Sequence, residues 1–304
     1  MNMKKATRRA YGEYLVELGK RHPEVVVLDA DLADATFTKF FKEAYPDRFF
    51  DCGIAEANMI DMAAGLSTTG LIPFASTFAV FGTGRAFEQI RNGVAYSNFN
   101  VKMAFSHAGI STGPDGGSHQ SIEDIALMRV IPGMTVIVPA DETETRKAME
   151  AALKINGPVY IRLARMDTNV LEDHPFEVGK ASVMRDGTDV ALFCCGVEVD
   201  QCIEAAVRLE KEGISAAVIN MHTIKPLDEE AVLAYAKKCK KVITVEDHSV
   251  IGGLGDAVAA VLCGKGEFSF TKLGAQDRFG QSATPDELLE EYGINASSIV
   301  AAAK

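Results

Sequence analysis

The 304-residue chain has no tryptophan, no CxxC pair, no excess of basic charge and no long apolar run. These absences exclude whole classes of function. Asp and Glu number 42 against 31 Lys and Arg, a net charge of -11, so no large basic face is available to grip a nucleic acid. The six cysteines (52, 194, 195, 202, 239 and 263) lack Cys/His metal spacing, and Cys194-Cys195 lie in a Val/Leu/Phe run as small core residues. That usage points to a reducing, cytoplasmic setting without structural disulfides. No stretch approaches the ~20 apolar residues that span a bilayer. The basic start MNMKKATRRAYGEYL is not followed by the apolar core of a signal peptide.

What is present is a globular pattern, 47% hydrophobic and 24% charged, long enough for two domains. Residues 4–20 predict an amphipathic helix, with Ala6, Tyr11, Leu15 and Leu18 at helical spacing. Val25–Leu28 is a strand ending at Asp29-Ala-Asp31. Those acids either approach a ligand at a strand's carboxyl end or cap the next turn. Helices are expected at 36–45, 59–68, 86–96, 122–130 and 142–155, with strands at 72–78, 101–106, 135–139 and 159–163. Arg85, Glu88 and Arg91 have helical spacing for ion pairs. The alternation predicts an α/β chain with doubly wound, mostly parallel sheets. Periodicity lapses after Asp167, so a linker at 171–187 separates a larger domain (1–170) from a smaller α/β domain (188–304). GGLGD (252–256) lacks the third glycine of a dinucleotide loop and reads as a helix-start turn.

Three constellations carry chemistry. Glu56 is the only acid between Asp51 and Asp61, follows a Gly turn, and has apolar flanks. Burial raises a carboxylate's pKa, and one held partly neutral can share a proton with a nitrogen heterocycle. A helix-start acid answering the helix dipole is the other reading. Phe78 and Phe81, three apart, either cradle a flat ring or pack the core. The loop His107–His119 has four glycines, Pro114, Asp115 and two histidines just past a strand, which permits close backbone approach to a ligand. Asp115 and His119 suit the orientation of hydroxyls and proton transfer near neutral pH. Arg8, Arg9 and Arg165 are the cations of interest; Arg165 follows a strand end, where a guanidinium suits phosphate or carboxylate.

In this order, ATRRAYGEYL, DCGIAEANM, IPFASTFAVF, SHAGISTGPDGGSHQSIED, TVIVPAD, VYIRLAR and HTIKPLDEE resemble the C-terminal half of a transketolase. The resemblance covers nearly the whole chain: a pyrimidine-binding domain and a transketolase C-terminal domain. It implies thiamin diphosphate as cofactor, with Glu56 at N1' of the aminopyrimidine and Phe78, Phe81 and Ile54 around that ring. It implies that His119 stands near the reacting carbonyl and Asp115 near a sugar hydroxyl. Arg8, His107 and Arg165 would grip the substrate phosphate. Asp29 stands where the family usually has a phosphate-binding Ser, and Gly84 where it usually has an aromatic. The Gly-Asp-Gly that holds Mg2+ and diphosphate in this family is absent from the sequence. The expectation is therefore a half-enzyme with no metal ligands of its own, completed by an N-terminal transketolase subunit as an α2β2 heterotetramer. The reaction implied is transfer of a two-carbon ketol unit from a ketose, or its phosphate, to an aldose, or its phosphate. The beta subunit of a 2-oxo-acid dehydrogenase's decarboxylating component shares the plan and is the alternative, with a non-catalytic relative behind it.

Overall fold

In Val25–Asp29 all five residues are buried, the mark of a strand covered on both faces. The structure, a computed structural model, describes residues 4–304. Val25 and Val27 point into one apolar layer with Tyr11, Leu15 and Phe74, while Val26 and Leu28 point into another with Met59, Ile60 and Phe105. That alternation is the strand's two-residue period put to use on two helix layers. The strand belongs to a seven-stranded sheet in the order Thr223–Lys225, Thr135–Ile137, Val159–Arg162, Lys102–Phe105, Ile72–Ser76, Val25–Asp29, Phe49–Asp51. Only the Thr223–Lys225 edge is antiparallel.

A second sheet has five strands: Ser269–Ala275, Lys241–Ser249, Val190–Cys194, Ala216–Asn220 and Ser182–Arg185. It is parallel except at Ser182–Arg185. Ala191 and Phe193 share an apolar cluster with Val26 and Met103 of the first sheet, whereas Leu192 and Cys194 face a separate core beneath the helix Glu198–Glu210. One continuous core thus joins the two sheets. The chain is the doubly wound α/β structure that its periodicity predicts. All six cysteines are free, and among the described residues no helix is long and apolar enough to cross a membrane.

Several local expectations shift. Lys4–Ala6 is a strand, not helix, because it pairs with Asp167–Asn169; the helix begins at Thr7. The helix expected at 36–45 is two, Ala33–Thr36 and Lys39–Ala44, broken where Phe37 adopts φ +63°. The third helix starts at Glu56, three residues early. Gly82 and Gly84, expected in a loop, lie in a helix Ala79–Arg85, followed by a π-helical stretch Gln89–Ala95. Packing overrides the glycines' low helix propensity there: a Cβ on Gly82 would sit 2.3 Å from the Phe105 ring. Within the expected linker, Ser182–Arg185 is a strand of the second sheet.

Candidate functional site

Gly53, at φ +66°, turns the chain from the edge strand into the helix Glu56–Ser67. Ala55 caps that helix without a side-chain hydrogen bond, so Glu56 brings the negative charge to its positive end. The carboxylate is buried, only 5% exposed, and its Oε1 accepts from Arg85 Nη1 at 3.0 Å. Arg85 is the residue the sequence reading misassigned. It does not pair along its own helix: Glu88 accepts from Gln89 and Asn92, and Arg91 donates to Asn92. The spacing signal was local, whereas the contact spans 29 residues.

The Ala79–Arg85 helix starts just after Phe78, whose ring stacks on Phe81 at 5.8 Å with 13° between planes. His107 stacks on Phe78 at 3.7 Å. His119 stands edge-on to Phe78 and Phe81, at 6.2 and 5.4 Å. The Arg85 guanidinium lies 4.3 Å from the Phe81 ring centre. Glu56, Phe78, Phe81 and His119 are therefore brought together on one patch, with Ile54 beside Glu56 in sequence and 76% exposed. A Cβ on Gly84 would meet nothing within 4 Å, so this side of the patch is open.

Next to it is a cationic group. Arg8 Nη1 lies 3.4 Å from His107 Nε2 and donates to Ala35 O at 2.7 Å, while its buried Nε has no partner. Burial and then the nearby Arg165 guanidinium hold the Arg8 pKa below its usual value. His107 is pushed down to about 2 by burial, then by Arg8 and Arg165, so its ring stays neutral. Arg165 donates to Thr112 O at 3.2 Å and approaches Asp115 at 3.9 Å. Asp115 and His119 do not bond to each other: Asp115 turns to Arg165, and His119 Nδ1 meets Ser118 Oγ at 3.0 Å. Arg9, the third cation of interest, instead pairs with Glu13 at the surface.

The loop carrying these groups is fastened from the second sheet. Asp247 accepts from the backbone N–H groups of Ile110 and Ser111, and Gln120 donates to Gln281 O at 2.9 Å. Behind it, Arg162 holds Asp124 through two nitrogens at 2.7 and 3.2 Å and also reaches Asp247 O at 2.8 Å. Burial disfavours this carboxylate, yet the Arg162 charge keeps the Asp124 pKa below the ordinary range. Nothing in the one-dimensional pattern marks Arg162 or Asp247, because their partners are distant in sequence.

Asp29 takes one of the two roles its position allowed. It has no exposed surface and accepts from Leu32 N–H at 2.6 Å, Thr36 Oγ1 at 2.8 Å and Thr38 Oγ1 at 2.9 Å. This is the turn-capping alternative, and a carboxylate so enclosed presents no charged face to a phosphate. The GGLGD turn is likewise filled from within: Glu246 accepts from Leu254 and Gly255 N–H. Among the described residues no group of three or more His, Cys, Asp or Glu side chains is placed to hold a metal ion.

The transketolase pyrimidine-binding domain matches residues 3–170, and the transketolase C-terminal domain matches 179–299. The chain belongs to the transketolase family. Its sequence is 44% identical to a 6-deoxy-6-sulfo-D-fructose transketolase subunit of Clostridium sp., over 97% of this chain and 92% of that protein. It is 41% identical to the transketolase of Rattus norvegicus, covering 98% of this chain but 48% of the rat protein. A solved split-gene transketolase, an inactive β4 tetramer, superposes with a TM-score of 0.91 at 51% identity, covering 98% and 97% of the two chains. The chain corresponds to the C-terminal half of a transketolase, and the 2-oxo-acid dehydrogenase alternative is not favoured.

Proposed function

We propose that this transketolase half supplies the pyrimidine-binding and sugar-binding face of an enzyme that moves a two-carbon ketol unit between a ketose and an aldose. The observation that carries the reading is the buried Glu56 carboxylate set beside the Phe78–Phe81 stack and the His119 edge. The residues fit a flat heterocycle: an apolar aromatic wall, an open flank at Gly84, and a buried carboxylate at the wall's edge. When bound, thiamin diphosphate supplies the carbon nucleophile and the electron sink for the ketol unit.

The chain's own residues position and move protons. Glu56 would share a proton with a ring nitrogen, an exchange made easier by its exclusion from water. Phe78, Phe81 and Ile54 would exclude water from the ring. His119, with Nδ1 turned to Ser118, presents Nε2 to a substrate oxygen. Asp115 would accept from a sugar hydroxyl. The Arg8 charge, disfavoured by burial and by the nearby Arg165 guanidinium, would be relieved by an anion between the two, and the orphaned Arg8 Nε is a ready donor. Neutral His107 accepts from Arg8 through Nε2, its Nδ1 being turned to Ser106, and so orients that guanidinium without further repulsion. The Clostridium relative, by its name, acts on a sugar ending in a sulfo group, so the terminal anion we assign to this cluster is a phosphate or a group like it.

Mg2+ and its ligands, with the diphosphate grip, we assign to an N-terminal partner subunit in an α2β2 assembly. We assign the sequence of 1–170 to the pyrimidine-binding part and 188–304 to the C-terminal part, with 171–187 between them carrying the strand Ser182–Arg185 of the second sheet. Glu56→Ala in the reconstituted enzyme is expected to lower turnover by at least ~100-fold, the scale of a lost general acid–base group, with unchanged circular dichroism. Near-normal turnover by that variant would remove Glu56 from the role.

A further inference from the structure

A guanidinium and an aminopyrimidine offer a binding site the same two features, a flat π face and in-plane N–H donors. The Arg85 guanidinium uses both. It lies against the Phe81 ring at 4.3 Å and donates to Glu56 Oε1 at 3.0 Å. These are the two contacts that the preceding section assigns to the cofactor's ring.

We propose that Arg85 is an internal placeholder for the aminopyrimidine, occupying Glu56 and Phe81 in the unloaded chain and withdrawing as the ring arrives. The proposal rests on the reading of Glu56 as the pyrimidine contact. Arg85 is 56% exposed, and among the described residues Glu56 is its only ion-pair partner. It is the last residue of its helix, and the space around Gly84 is empty, so the side chain has room to swing outward. Its departure alone would strand a buried carboxylate, which is costly. Withdrawal is thereby tied to the arrival of another donor, and the site is never left with a bare charge. Arg85 thus opposes the cofactor by occupancy, at both the carboxylate and the ring face.

The test is calorimetric titration of thiamin diphosphate, with Mg2+ saturating, into this chain mixed with a diphosphate-binding transketolase subunit. Arg85→Gln and Arg85→Ala are expected to tighten cofactor binding about three-fold, the size of one partly exposed ion pair. The gain is expected to vanish in a Glu56→Gln background. In the chain alone, the 15N side-chain signal of Arg85 is expected to show a hindered guanidinium that Glu56→Gln frees. Unchanged or weaker cofactor binding by both Arg85 variants would overturn the placeholder. If Glu56→Gln abolishes turnover while Arg85 variants bind cofactor like the wild type, the placeholder alone falls. If Glu56→Gln leaves turnover and cofactor affinity untouched, the pyrimidine reading falls with it.

Discussion

Asp29 and Glu56 are both buried carboxylates close to a strand end or helix start, yet their surroundings set them different tasks. Asp29 spends both oxygens on the turn that follows it. Burial outweighs those hydrogen bonds and pushes its pKa from 3.8 up to about 6. The folded chain therefore holds that proton more tightly than the unfolded one. The contribution to stability is fully present below pH 3.8 and is lost as the pH rises through about 6. Asp29→Asn, which cannot ionise, is expected to gain stability relative to the wild type between pH 4 and 6.5. Urea unfolding at both ends of that window measures it; a difference between the two proteins that is independent of pH would contradict the assignment. Glu56 was legible in sequence as a lone acid among apolar residues. The role of Asp29 was legible only as one of two options, because the hydroxyls that enclose it, Thr36 and Thr38, are brought round by the chain break at Phe37.

Strands and helices were readable where their apolar period was strong, as in Val25–Asp29 and Val190–Cys194. They were misread where distant contacts decide: the Lys4–Ala6 ribbon, the Gly82 helix, and the register of the glycine-rich loop. That loop shows the difference plainly. Its glycines read as freedom of approach to a ligand, but two of them are needed for approach to the second sheet. Gly109 has φ +82°, and a Cβ there would lie 2.1 Å from Asp247 Oδ2; a Cβ on Gly117 would lie 2.5 Å from Gly280 O. Gly133 has φ +75° with nothing within 4 Å of its Cβ position. Gly133→Ala should therefore cost only the left-handed backbone, about 1–2 kcal/mol. Gly109→Ala should cost clearly more, because the Asp247 contacts with Ile110 and Ser111 must open as well. Equal losses in denaturant midpoint would mean that the loop is not fastened as described.

At the scale of the whole molecule, the chain gathers a carboxylate, aromatic rings, a histidine edge and neighbouring guanidiniums on a face where Ile54 is 76% exposed, and the proposed function takes this face as half of a site. It spans 48% of the rat transketolase and nearly all of the split-gene structure it matches. The fold and the family were legible from the order of seven motifs, since each strand end in a doubly wound sheet delivers a functional loop to the same edge. The proposed partner subunit rests on the missing Gly-Asp-Gly, which only the comparison with the family's motifs brings out. The measurement that bears most directly on this is a titration of thiamin diphosphate and Mg2+ into the purified chain, alone and mixed with a diphosphate-binding transketolase subunit, while ketol transfer is followed. The account expects turnover in the mixture and none from the chain alone. Turnover by the chain alone would contradict it.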